Sequence, residues 1–251
     1  MAYLRSFVRA QTSRRDDPMQ NETGQPTVRD LRRRWKPQKE LLLAATEHHP
    51  TAVRLHRAFS WLARVEGVGA AGSDNDVVLV CQWIALNALY GRWDQVKCEP
   101  APDQTTWRAF LKRVLELDAG GTLAQVLQNH KPLVLSILED EYLSDLFWEE
   151  PTRVRAGRAR RVMFDARTWY IEDRWGLILD RLVDRIYLLR CQLTHGAATY
   201  GGSLNRRSLK HCATMLGHLM PAVILVVIDH GCDADWGPMC YPPMRPSAVR
   251  Q

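Results

Sequence analysis

Along most of this chain hydrophobic residues recur with the spacing of one face of a helix, and no segment sustains an every-second-residue alternation. In "TAVRLHRAFSWLARV" (51–65), Val53, Leu55, Phe59, Leu62 and Val65 share a side while Arg54, Arg57 and Arg64 fall elsewhere, as on a surface helix. "DNDVVLVCQWIALNALYGRW" (74–93) opens on Asp74 and Asn75 as capping candidates and is then apolar almost all round, which predicts a buried central helix. Shorter helices are expected over "TTWRAFLKRVLEL" (105–117) and "GTLAQVLQNH" (121–130), divided by "DAGG", and another over "KPLVLSILEDEYLSDLF" (131–147). The most regular stripe is Ile178, Leu182, Ile186, Leu189 and Leu193 within 175–195. Residues 203–231 predict a last long helix, with Pro221 as a kink or break.

The sum is an all-α helical bundle with no internal repeat. It divides into a basic, polar N-terminal arm (1–47), a bundle (48–232) and an irregular proline-rich tail (233–251). Residues 11–30 carry two prolines and no periodicity, so the arm is expected to be disordered or loosely docked. Arg29, Arg32, Arg33, Arg34 and Lys36 form a cluster that suits either phosphate contact or a solvated helix start. The stretch 139–150 has Glu139, Asp140, Glu141, Asp145, Glu149 and Glu150 without a base, whereas 151–161 has five arginines without an acid. That switch suggests an exposed, flexible connection able to touch phosphate.

Composition narrows the setting. A length of 251 residues can bury a full core without disulfides, and the six cysteines form no CxxC pair, which fits a reduced, cytoplasmic protein. The longest apolar run (219–228) has ten residues, about half of the ~20 needed to span a bilayer, so no membrane partner is expected. A net charge of +6 favours an anionic partner without naming one.

Candidate chemistry gathers where the 175–195 helix stops. Arg190 and His195 stand five residues apart, and Gly196 follows as a residue able to turn left-handed and end the helix. On an ideal helix the two side chains leave ~140° apart. They converge only if the helix ends between them or a second copy contributes. A histidine exchanges protons near neutral pH, and an arginine presents a charged fork that matches phosphate oxygens. Such a pair suits phosphodiester cleavage by a neighbouring 2′-hydroxyl, without metal or cofactor. The same residues also suit a plain helix end, where Arg favours the dipole and His bonds free carbonyls.

"RCQLTHG" at the end of an amphipathic helix, with "WIALNALYG" upstream, resembles the HEPN family (higher eukaryotes and prokaryotes nucleotide-binding) over roughly 50–230. Catalytic members carry Arg and His separated by four to six residues at the end of a bundle helix. The resemblance implies an α-helical, often dimeric ribonuclease in which two motifs face a shared cleft and cut RNA without metal. It also implies action as a toxin or phage-defence effector, with an antitoxin or defence-system partner. Carried over, Arg190 and His195 are the catalytic pair. Cys191 departs from the polar residue that often follows the arginine, which keeps open a noncatalytic module binding nucleotide, RNA or protein.

Supporting positions follow. Asn87, a polar residue of the buried helix along with Gln82, can orient Arg190 or His195 or can bond a core carbonyl. Gln192, Thr194, Tyr200 and Asn205 lie close enough in sequence to line the same cleft, and Arg206, Arg207 and Lys210 can hold RNA phosphates. Trp169, Tyr170 and Trp175 suit either base stacking or the core. His211, Cys212, His230, Cys232 and Cys240 lack the paired spacing of a zinc site.

Overall fold

The computed structural model describes residues 24–46, 49–70, 74–203 and 205–243. Ten helices make up the described part: α1 (Val28–Ala45), α2 (Pro50–Ala70), α3 (Asn75–Tyr90), α4 (Asp103–Leu117), α5 (Thr122–Asn129), α6 (Lys131–Glu139), α7 (Asp145–Glu149), α8 (Arg153–Ile171), α9 (Trp175–Thr194) and α10 (Arg206–His230). The all-α bundle expected from the periodicity is therefore the observed class. A two-residue antiparallel pair, β1 (Trp93–Asp94) with β2 (Glu99–Pro100), lies between α3 and α4.

α3 and α10 form the centre. α3 packs against α2, α4, α9 and α10, and α10 against α1, α3, α4, α5, α6 and α9. α3 starts where Asp74 accepts the Val77 amide at 3.2 Å, as its capping role predicts. α10 runs through Pro221 as one helix, so of the kink or break expected there the break does not occur. By length and composition α10 could cross a membrane, yet its apolar residues, among them Leu216, Val223 and Ile224, are buried in the bundle.

Several boundaries move. The arm expected to reach residue 47 is helical from Val28, where Thr27 and Asp30 cap each other's backbone amides. Val28, Leu31, Trp35 and Leu42 are buried at helical spacing against α2 and α10, so α1 belongs to the bundle. Residues 1–23 of the arm and 244–251 of the tail lie outside the described residues. The tail that is described is irregular but anchored: Trp236 is buried beside Phe110, and buried Arg54 donates to the carbonyls of Leu89, Gly91 and Gly237.

The helix expected over 131–147 stops at Glu139. Asp140 ends it, accepting the Tyr142 amide at 3.0 Å and the Ser208 hydroxyl. The arginine-rich stretch is a helix and not a flexible connection: Thr152 caps α8 by accepting the Arg155 amide, and Ala156, Ala159, Met163, Ala166 and Tyr170 form its buried stripe. Arg155 pairs with Glu149 (3.3 Å) and Glu150 (3.7 Å), and Arg160 with Glu141 (3.9 Å). The switch from acidic to basic charge is thus two segments facing each other.

Candidate functional site at the end of helix α9

α9 ends by local chemistry that the sequence carries openly. Gly196 takes φ +73°, its amide donates to the Leu193 carbonyl at 3.4 Å, and the Ala197 amide reaches the Gln192 carbonyl at 2.9 Å. Both bonds satisfy carbonyls that the last turn would otherwise leave open. The helix therefore ends at Thr194, between the two residues, with His195 as its C-cap. On one chain, Arg190 belongs to the helix and is half-buried, whereas His195 is on its cap and exposed.

Arg190 turns inward. Its side chain is 23% exposed, and its two polar contacts, to Asp103 Oδ2 at 3.6 Å and Cys191 Sγ at 3.8 Å, both use Nη1. The guanidinium carbon lies 5.9 Å from the ring centroids of both Trp83 and Tyr187. Asp103 also accepts the Tyr90 hydroxyl and the Asn87 side-chain amide (3.3 Å), and Asn87 donates to the Tyr90 oxygen as well (3.2 Å). Asn87 acts on Arg190 through Asp103 and makes no direct contact with it. Burial pushes the Tyr187 phenol up to about 12, with Cys191 beside it adding to the shift. Burial raises the Tyr90 phenol further, and Asp103 adds to that, so both tyrosines stay neutral.

His195 faces solvent, and among the described residues nothing hydrogen-bonds its ring. Thr194 donates its hydroxyl back to the Arg190 carbonyl at 3.0 Å. Gln192 donates to the Tyr142 carbonyl at 3.1 Å. Gln192 and Asn205 line a cavity of about 600 Å³ with Trp148, Leu188 and the loop residues Ala197 to Thr199, Gly202 and Ser203. Tyr200 belongs to the opposite side of that loop, donating to Asp74 and lining a second hollow of about 390 Å³ with Trp61, Ile84 and Leu193.

The basic start of α10 divides. Arg206 forms a two-pronged pair with Asp76 on α3, which ties the two helix starts together and raises the arginine's pKa through that hydrogen bond. Arg207 and Lys210 are exposed. Of the aromatic candidates, buried Tyr170 donates to the Leu127 carbonyl and Trp175 packs edge-on against it, so both serve the core; Trp169 packs on the core's margin. Among the described residues no three His, Cys, Asp or Glu side chains gather to hold a metal, and all six cysteines are free.

Sequence reading missed Asp103 and Trp148. Asp103 opens α4 and Trp148 sits in five-residue α7, and neither neighbourhood carries a pattern pointing to α9. The exposed aromatic run around Trp148, inside an acidic stretch, was the available signal. No family model, no curated protein and no solved structure matches this chain.

Proposed function

We propose that the protein is a metal-independent endoribonuclease of HEPN type, working as a homodimer in the cytoplasm as a toxin or phage-defence effector. The observation that carries this reading is the terminal turn of α9. There, an arginine whose polar contacts to Asp103 and Cys191 both use Nη1 and a solvent-facing histidine come just before the left-handed turn at Gly196 that leads towards the basic start of α10.

The chemistry follows from the side chains. The RNA 2′-oxygen attacks the adjacent phosphorus while a His195 imidazole accepts its proton. The P–O5′ bond breaks, and a protonated imidazole supplies the proton to the departing 5′-oxygen. Arg190 faces the extra negative charge of the five-coordinate phosphorus. Because Arg190 turns towards Asp103 while His195 faces solvent, a two-fold pairing of two α9 ends supplies one base and one acid across a shared cleft. The body of α9 is enclosed by its own bundle, so such a pairing involves the terminal turn and the loop beyond it.

The test is incubation of purified protein with total RNA in EDTA, alongside His195→Ala. Expected products carry 2′,3′-cyclic phosphate and 5′-hydroxyl ends, and a 2′-deoxy sugar at the cut blocks them. Cleavage requiring magnesium, or surviving in His195→Ala, rejects the assignment. Light scattering and activity over a dilution series test the dimer, which a fully active monomer would exclude.

The Arg190–Asp103 pair favours a second reading, a noncatalytic HEPN-like module in which Arg190 holds α9 to α4. RNA binding without cleavage, unaffected by His195→Ala, selects it.

A further inference from the structure

Trp148 is half exposed, and its indole is fixed at the wall of the cavity beside the α9 terminus. Its Nε1–H already donates to the Tyr142 carbonyl at 2.8 Å, and Phe147 and Tyr142 pack around it at ring distances of 5.1 and 6.3 Å. What the side chain still offers is a flat π-face. Two amides share the cavity. Gln192 uses its N–H on Tyr142, which leaves its carbonyl oxygen as an acceptor, and Asn205 makes no capping bond with its side chain. A flat aromatic wall, an amide acceptor and an amide with both functions together describe a receptor for a planar heterocycle with donor and acceptor edges.

We infer that this cavity binds one unpaired nucleobase of single-stranded RNA, stacked on Trp148 with its edge against Gln192 and Asn205. The inference rests on the ribonuclease reading and names its substrate class. A volume of about 600 Å³ accepts a base with its sugar. A base inside a duplex has both faces stacked and cannot enter, so the site selects single strands, loops or bulges. The approach is electrostatically open. Glu149 and Glu150, next to Trp148, are both paired with Arg155, and exposed Arg207 and Lys210 follow Asn205 in the first two turns of α10 to meet the flanking phosphates.

The experiment measures binding of a fluorescein-labelled short single-stranded RNA by polarisation, in the His195→Ala background so that the probe stays intact. Trp148→Ala is expected to weaken binding by about tenfold, as for loss of one stacked base, with Trp148→Phe restoring most of it. Gln192→Ala and Asn205→Ala should alter preference among probes differing in one base. A duplex of the same sequence should bind equally to all variants. Equal single-strand affinity of the Trp148→Ala and Trp148→Phe proteins to the parent overturns the base site while leaving the ribonuclease reading intact. Failure of the parent to bind any RNA removes both. If Trp148→Ala instead halves the mass seen by light scattering without changing RNA affinity, the cavity receives a second copy of the chain and the base site is rejected.

Discussion

Arg185 and Arg190 lie five residues apart on α9 and meet opposite surroundings. Arg185, at mid-helix, is buried and donates to three carbonyls: Ala159 at 2.8 Å, Asp140 at 3.2 Å and Leu138 at 3.3 Å. Burial lowers its pKa to about 10, which still leaves it charged at neutral pH. Arg190, near the end, has a loose carboxylate and a thiol on Nη1, with its guanidinium carbon 5.9 Å from two ring centroids. The middle of α9 is buried at Ile178, Leu182, Ile186 and Leu189, whereas Cys191 to Leu193 are half-buried and Thr194 and His195 are exposed. A guanidinium saturated by carbonyls locks helices together; one with an open edge at a rim can meet a ligand. The same residue type serves architecture or chemistry according to how many of its donors the fold engages.

The largest expected contrast is in cleavage. His195→Ala, and separately Arg190→Ala, should reduce RNA cleavage by about a thousandfold, in line with loss of a proton-transfer group. Replacing exposed His195 should shift unfolding free energy by no more than about 0.5 kcal/mol. Parallel rate assays and urea unfolding check both halves of that statement. A His195→Ala protein that cuts normally would erase the distinction between the two ends of the helix.

Arg185→Met should act the other way round, destabilising the fold by about 3 kcal/mol because three carbonyls are left without donors in the core. Urea unfolding measures it, and an unchanged midpoint would show that those carbonyls find other partners.

Acid should act on half-buried His218. His218 stacks on His130 at 3.7 Å, and burial first, then the neighbouring imidazole, lowers its pKa to about 4. The folded value lies below the unfolded value of ~6.5, so the unfolded chain takes the proton first. Stability should be complete above pH ~6.5 and fall towards pH 4 by roughly 1 to 2 kcal/mol, allowing for partial exposure. Thermal melts across this range should show the slope, and His218→Gln should flatten it. A slope that persists in His218→Gln assigns it elsewhere.

The smallest effect is expected from Asp103→Asn, which removes the charge facing Arg190 but keeps the acceptor for Tyr90. For a pair this exposed the stability loss should stay under about 1 kcal/mol. RNA affinity should rise if Arg190 binds phosphate, and a calorimetric titration showing no change would favour the purely structural role for Arg190.

Much of the bundle was legible because its signals are local. The α9 stripe, the Asp74 cap of α3 and the Gly196 exit of α9 are each encoded within a few residues, where spacing and backbone preference act directly. α8 escaped because its buried stripe is built largely from alanines between arginines, which gives almost no apolar contrast along the chain. α1 escaped for a related reason: its few core residues are diluted by six basic ones, and Pro37 inside it reads as a stop.

Sequence alone determined the helical class, most of the central helices and the placing of Arg190, His195 and Gly196 at one helix end, since period, cap and turn are short-range properties. Tertiary structure alone decided that Arg190 meets Asp103, that Arg206 is held by Asp76, and that Trp148 shares a cavity with Gln192 and Asn205. Those meetings depend on how whole helices cross and pack, and side chains far apart in the chain acquire neighbours only once the core has set the crossings.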